Sequence, residues 1–485
     1  MNYIKNILLK IKEKNKFYYN VLSLAGGTLL AQLITIAFMP LMTRLYSPNS
    51  FGVLATYISI IAILNVIVSL RYELAIVLPK YDNQAKVILF LALAFTIITS
   101  FTSILIIIFF PKKLLGNMGL QDFNNYLYLI PASLLFIGIY QALTYWASRN
   151  KNFTLIARTK FSQTLSMLIA QLSLYKLQDL GLILGQLLNQ FMGSLKLYKY
   201  SKKTKSFVIP SRKRLIWGIR KYKDFPKYIL MGSLLDNTSS RIPIFLLAIH
   251  FNPAYAGFYA ITDRILTLPV QLIGKSLSNV YYAEASNFYR ENRLNELTYQ
   301  IYKKLVTLAF PFVILIMLIS PTMFNYIFGN EWKTAGHYAR ILCMLMYIVF
   351  ITSPISSAYM ILGKQKIWTL FQAIILLTSI VTLYIGIYLD NDIYTILFYS
   401  IGNMLCWSII LVYLFRILKI KFKQYFKDQY INFILSLLTN SPLIIYMLYI
   451  HLNNTQENTI YWAGCIIISL ILIIFRYMHM LKKKV

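Results

Sequence analysis

Charged residues lodged in long apolar runs are the part of this sequence that could do chemistry. The run at 256–283 holds Asp263, Arg264 and Lys275, with Gln271 between the two cations. At about 100° per residue, Arg264, Gln271, Lys275, Ser278 and Tyr282 fall within about 40° of one another. The spacing predicts a polar stripe with two cations on one continuous helix, kinked at Pro269. The run at 227–250 holds Asp236 and Arg241, followed by Pro243. Asp236 and Ser240 share a face, whereas Arg241 lies about 140° from Asp236, so the two charges need partners on other helices. Pro243 leaves the carbonyl of Ser239 without its helical donor. Earlier in the chain, Arg44 stands near the end of the first run. Arg71 and Glu73 stand in the second, where the apolar stretch Leu74 to Leu78 continues and predicts that the pair lies inside the helix. Cations (Arg44, Arg71, Arg241, Arg264, Lys275) outnumber acids (Glu73, Asp236, Asp263). A chamber lined by surplus guanidinium groups attracts an anion, and arginine suits a phosphate or diphosphate through paired hydrogen bonds. Asp236, Asp263 and Glu73 are the candidates for coupling to a proton or sodium ion.

Other chemistry finds no support. Cys343, Cys406 and Cys465 sit singly in apolar runs, and His250, His337, His451 and His479 are scattered. No metal site, disulfide framework or cofactor is expected. No phosphate-binding G-x-x-x-x-G-K-[ST] loop is present, so the expected energy source is an ion gradient, the membrane potential or consumption of the product.

The elements that carry these charges must be membrane helices. The chain has 485 residues, 58% apolar and 13% charged, with 48 Lys and Arg against 16 Asp and Glu; mean hydropathy is +0.60. This excludes both a soluble multidomain protein and a disordered chain. The first run, 21–41, is too long for a signal-peptide core and lacks a small-residue cleavage site, so it is expected to be kept. Runs of about 20 apolar residues suffice to cross the hydrocarbon core. Fourteen are legible, at 21–43, 52–78, 86–110, 126–147, 154–175, 180–198, 227–250, 256–283, 301–326, 335–362, 367–389, 393–415, 430–450 and 459–478. With the N-terminus inside, the outer segments hold only Arg44, Lys112, Lys113, Lys176 and Lys333. Nearly all other cations fall inside, as the positive-inside rule demands. Both termini then face the cytoplasm.

The inner segment 196–227 is strongly basic, with Asp224 its single acid. It reads as a topology determinant, a contact for anionic phospholipid headgroups and a linker between two six-helix halves; nucleic-acid binding is not expected. The halves share a turn. Pro48 and Gly52 close the first hairpin, Pro253 and Gly257 the one between the seventh and eighth runs, each pair four residues apart. Six runs separate the copies, which makes the repeat parallel, and transporters are often built this way. The expected domains are 1–200 (first six-helix bundle), 201–226 (basic cytoplasmic linker), 227–416 (second bundle) and 417–485 (two additional transmembrane helices).

At these residues the chain resembles a known family. Tyr72-Glu73-Leu74-Ala75-Ile76-Val77-Leu78-Pro79 and Thr43-Arg44-Leu45-Tyr46-Ser47-Pro48, with Phe51-Gly52 following, are similar to motifs of flippases in bacterial surface polysaccharide synthesis. Ala256-Gly257-Phe258-Tyr259-Ala260, Asp263-Arg264-Ile265 and Leu268-Pro269 resemble the eighth helix of that family and of lipid II flippases. Phe328-Gly329-Asn330-Glu331-Trp332-Lys333-Thr334-Ala335 is similar to the turn before their tenth helix. The last two runs carry no such motif. The family is the polysaccharide transporter branch of the multidrug/oligosaccharidyl-lipid/polysaccharide (MOP) exporters. The resemblance implies an all-α protein of two six-helix bundles around a V-shaped cavity, with two further C-terminal helices. It implies transport, not catalysis: movement of an undecaprenyl-diphosphate-linked oligosaccharide (an O-antigen, lipopolysaccharide or capsule unit) across the bacterial cytoplasmic membrane. It carries diphosphate binding to Arg44 and Arg264, while Arg241, Arg71, Lys275 and Gln271 are substrate-site candidates by position alone. Polysaccharide polymerase machinery is the expected protein partner. Two other readings were weighed. An ion-coupled multidrug or cation extruder of the same superfamily would want an acid-dominated cavity. A membrane polymerase or ligase would want catalytic outer loops, and the longest here, from Pro111 to Asn125, has no cluster of acid, base and nucleophile.

Overall fold

The structure is a computed structural model describing residues 16–109, 126–204, 207–453 and 459–482; the N-terminal lysines and the outer loop 111–125 lie outside these. The described residues contain helices, turns and no strand. They divide into two compact units, 1–260 and 261–485. The first contains α1 (Lys16–Leu45), α2 (Pro48–Val68), the one-turn α3 (Tyr72–Ala75), α4 (Asp82–Phe109), α5 (Ile130–Arg149), α6 (Phe153–Ser173), α7 (Asp179–Lys203), α8 (Arg212–Lys221) and α9 (Leu230–His250). The boundary falls within α10 (Pro253–Pro269). The second unit continues with α11 (Lys275–Arg290), α12 (Leu294–Phe328), α13 (Lys333–Thr352), α14 (Ala358–Ile361), α15 (Gln365–Tyr388), α16 (Asp392–Ile417), α17 (Phe422–Thr439), α18 (Ser441–Asn453) and α19 (Thr459–Lys482).

A helix stands at each of the fourteen apolar runs. Among the described residues nine are long and apolar enough to cross a membrane, ten if the bent pair α17–α18 is one span. The others are α6, α7, α9 and α10 with α11, which carry Arg158 and Lys160, Lys196 and Lys199, Asp236 and Arg241, and Asp263 and Arg264. Helices that face protein or water need not be apolar all round.

Several runs depart from continuous helices; the tenth passes from α13 through a 3-10 turn, Ser353–Ile355, to α14. The second does not reach Leu78: α2 ends at Val68, and Leu70 and Arg71 both take the left-handed conformation (φ 49° and 63°). Two successive residues there cannot continue a right-handed helix. Arg71 and Glu73 therefore sit at a break, not inside the span. The eighth run breaks after Pro269 into a wide π turn, Val270–Gly274, before α11 resumes. An extra residue in such a turn rotates everything beyond it by about 100°, so the single straight stripe from Arg264 to Tyr282 does not form. The thirteenth bends by 63° between Thr439 and Ser441.

The repeated turn has a structural meaning. Ser47 caps α2 by accepting the Ser50 N–H at 3.2 Å, and Pro48 starts the helix where no N–H is needed. Pro253 starts α10 in the same way. The two helix starts are pressed together reciprocally. A Cβ on Gly52 would lie 1.6 Å from the Pro253 carbonyl oxygen, and one on Gly257 2.2 Å from that of Pro48. Each proline carbonyl occupies the space a side chain would need on the opposite glycine.

In the second unit, the long α12 contains Pro311 and Pro321. Each removes the donor for the carbonyl four residues earlier, and side chains replace it. The Tyr477 hydroxyl reaches the Thr307 and Leu308 carbonyls at 3.2 and 2.5 Å. The Arg340 Nε–H reaches the Met317 carbonyl at 3.1 Å. Arg340 is thus a backbone cap.

Candidate functional site

The charged candidates separate by surroundings. In the first unit the break after α2 gathers Ser69, Arg71 and Glu73. Glu73 is only 1% exposed; it accepts the Ser69 hydroxyl and, at 3.4 Å, the Arg71 guanidinium. Arg71 also acts electrostatically on Asp236 of α9, and both Arg71 and Glu73 act on Tyr145 of α5. The structure thus brings the Arg71–Glu73 corner within electrostatic range of Asp236 on α9, a grouping that sequence spacing did not reveal. The next turn is held by Arg149, which donates to the Pro79 carbonyl at 2.6 Å and pairs with Asp82 at 2.9 Å. The Tyr72–Pro79 motif is therefore a built corner, with Arg71 tied to its carboxylate and not snorkelling freely.

Arg44 is the penultimate residue of α1 and is exposed. Its neighbour Tyr46 is buried and donates to the Gln171 carbonyl at 2.5 Å, fixing the end of α1 against the end of α6. On α9, Asp236 is exposed, Arg241 half-buried and Pro243 buried within the helix, as expected. The Ser240 hydroxyl returns to the Asp236 carbonyl at 2.9 Å.

In the second unit, Arg264 is exposed and Asp263 half-buried on α10. Gln271 falls in the wide turn, where its side-chain amide donates to the Thr267 hydroxyl at 3.3 Å. Lys275 opens α11, but its side chain lies outside those described. The opposite side of α10 is apolar. Leu266 and Pro269 lie about 200° and 140° from Arg264. With Phe312, Tyr347 and Phe350 they line a cavity of about 260 Å³. α10 is thus two-faced, one side able to meet an anion and the other only hydrocarbon.

Sequence reading found no motif in the last two runs, yet they hold a polar seam. Asp428, Asn432, Ser436 and Asn440 recur every four residues on α17 and are all buried. Tyr299 donates to Asp428 at 2.7 Å, Asn440 donates to the Pro311 carbonyl at 3.2 Å, and Arg476 of α19 donates to Asn432 at 2.6 Å and Ser436 at 3.2 Å. Gln429 bridges Tyr347 and Tyr302 at 2.6 and 3.1 Å. The four-residue polar period inside an apolar run was the available signal. Among the described residues no group of three or more His, Cys, Asp and Glu side chains could hold a metal ion.

Residues 41–337 match the family described as polysaccharide biosynthesis protein. The matched stretch contains the motifs from Thr43, Tyr72 and Ala256, and it ends just beyond Ala335. A curated relative, the teichuronic acid biosynthesis protein TuaB of Bacillus subtilis (strain 168), is 21% identical over 305 residues, 62% of this chain and 62% of TuaB. The match thus spans less than two thirds of that relative. Among solved structures, the lipid II flippase MurJ in its inward closed conformation superposes with a TM-score of 0.72 at 14% identity, covering 93% of this chain and 97% of that one. An inward-facing multidrug resistance MATE family transporter of the MOP superfamily gives 0.60 at 15% identity, covering 82% and 94%. At these identities the structures establish a shared fold. The two solved proteins that share it are a lipid flippase and a multidrug transporter.

Proposed function

The chain belongs to the polysaccharide biosynthesis protein family, and from that premise we propose that it translocates an undecaprenyl-diphosphate-linked oligosaccharide across the bacterial cytoplasmic membrane. The observation that carries this reading is the state of the charges. Arg44 and Arg264 are exposed on helices of a membrane protein, while Glu73, one of the three candidate acids, is buried against Ser69 and Arg71. The cations left accessible match an anionic headgroup. The polyprenyl tail stays in lipid, and the diphosphate is held by Arg44 and Arg264, with Lys275 and Arg241 supporting them. The halves 1–200 and 227–416 alternate access around this head, while 417–485 adds two peripheral spans. Asp236 and Asp263 are the carboxylates available for ion coupling.

The test is transport of a lipid-linked oligosaccharide in proteoliposomes. Removing a charged hydrogen-bonding partner costs about 1.5–3 kcal/mol, so Arg264→Ala is expected to slow transport at least tenfold. Arg264→Lys restores part of it, because charge returns without the planar fork. Wild-type rates for Arg44→Ala and Arg264→Ala would remove the site. The rival reading, a cation extruder, shares the MATE fold and predicts efflux of lipophilic cations that depends on Asp236 and is indifferent to Arg264.

A further inference from the structure

The basic segment between the halves is more than a linker. Residues 212–221 form α8, which divides into three sectors at about 100° per residue. One faces the protein: Leu215, Gly218 and, just beyond the helix, Tyr222 pack against the cluster containing Val87, Ile88 and Leu91 of α4. A Cβ on Gly218 would lie 2.9 Å from the Leu91 side chain, so the backbone itself touches α4. The second sector exposes Ile216 and Ile219, with Arg212 between them at the helix start, beside exposed Phe207 and Val208 and an Ile209 that is 87% exposed. The third is cationic: Lys213, Arg214, Arg220 and Lys221 are exposed and spread over about 120° around Trp217. The Lys221 ammonium lies 5.0 Å above the Trp217 ring. Burial raises the Tyr222 phenol above its ordinary range, with Arg149 pulling it back.

The contacts on α4 lie five to nine residues from its start at Asp82, about 8–14 Å along the helix axis. Lys86 is the last charge on α4 before its apolar stretch, so α8 sits at the boundary between the polar start of that helix and its apolar part. An exposed apolar strip beside a cationic strip, on a helix fixed at this level, fits that boundary. We propose that α8 with Phe207, Val208 and Ile209 is an in-plane membrane helix whose cationic sector binds the headgroups of anionic phospholipids and thereby anchors the start of α9. The turn at 225–229 leads from α8 directly into α9, which carries Asp236 and Arg241, so lipid bound here acts on the first helix of the second repeat. The occupant is assigned by charge complementarity and does not depend on the transport reading.

The experiment uses the full-length protein, without transport substrate, titrated with phosphatidylglycerol or phosphatidylcholine and read by native mass spectrometry. Each basic residue near an anionic surface contributes roughly fivefold in affinity. The wild type is expected to retain phosphatidylglycerol at least tenfold better than phosphatidylcholine. Combining Lys213→Gln, Arg214→Gln, Arg220→Gln and Lys221→Gln abolishes that preference and leaves phosphatidylcholine binding and the thermal midpoint in zwitterionic detergent unchanged. Exchanging Lys for Arg, and Arg for Lys, at the four positions retains it. Undiminished phosphatidylglycerol preference in the Gln variant overturns the proposal. So does an aqueous emission spectrum from an environment-sensitive dye on Ile209→Cys or Ile219→Cys in anionic nanodiscs. Because no substrate is present, failure here leaves the transport reading standing, and failure of transport leaves this site standing.

Discussion

Arg71, Glu73 and Arg264 are all charges in apolar sequence, and their neighbours assign them different work. Glu73 is enclosed, with Ser69 and Arg71 consuming its charge at a turn that contains two left-handed residues. Removing one member of a buried pair leaves the other uncompensated, at a cost of about 3–5 kcal/mol. Glu73→Ala is therefore expected to lower the thermal unfolding midpoint of the purified protein sharply. Glu73→Gln should cost less, since an amide can still accept from Ser69. An equal, small effect from both would show that the corner is held by packing alone. The sequence made the charge types legible and the enclosure illegible. Leu74 to Leu78 continues an apolar run, and nothing in its composition announces that the backbone turns at Leu70. Arg264 is the reverse case: its place on α10 was readable from periodicity, but the rotation beyond it was not, since a π turn leaves the hydrophobic pattern intact.

At the scale of elements, the reciprocal contact of Gly52 and Gly257 shows why a proline and a glycine recur four residues apart. The prolines start the helices and the glycines let the two starts touch. The repeat was visible in sequence as two copies, whereas their meeting face to face was not. Gly52→Ala would push a methyl group into the Pro253 carbonyl, and overpacking of this kind costs about 1–3 kcal/mol. Thermal stability should fall for Gly52→Ala and for Gly257→Ala. Gly232→Ala, where nothing lies within 4 Å, should be neutral or stabilising by up to about 1 kcal/mol through helix propensity. If all three substitutions behaved alike, the contact would not be a tight one. The α12 prolines give a second case. Tyr477→Phe leaves the Thr307 and Leu308 carbonyls without that donor, at a cost of about 1–3 kcal/mol, and should loosen α19 first, read as faster proteolysis at the C-terminus.

At the scale of the molecule, contacts decide where composition is ambiguous. Hydropathy supports nine or ten crossings among the described residues, yet the first unit's own contacts require more. The α6–α7 turn lies beside the α1–α2 turn, since Tyr46 donates to the Gln171 carbonyl and Ser50 to Gln178 at 3.3 Å. The α9–α10 turn lies beside it too, through Gly52 and Pro253. At the other end, α8 packs on the beginning of α4. If α2, α4 and α5 cross in succession, then α6 must cross to bring its end beside Tyr46. α7 must then return to the side of α8, and α9 must cross again to reach Gly52. In the second unit, Thr262 midway along α10 donates to the Ala335 carbonyl at the start of α13 at 2.8 Å. The α10–α11 segment and α12 therefore run in opposite directions. A polar helix can cross where its polar face need not meet lipid, a condition that hydropathy averaged over a window cannot register. Single cysteines at Gln178 and Asn252 should then react with a membrane-impermeant maleimide added outside intact cells, like one at Asn49. Cysteines at Thr204 and Asn292 should react only after permeabilisation. Labelling of Gln178→Cys and Asn252→Cys only from the inside would reduce the crossings to ten, and the basic segments would no longer share one face of the membrane.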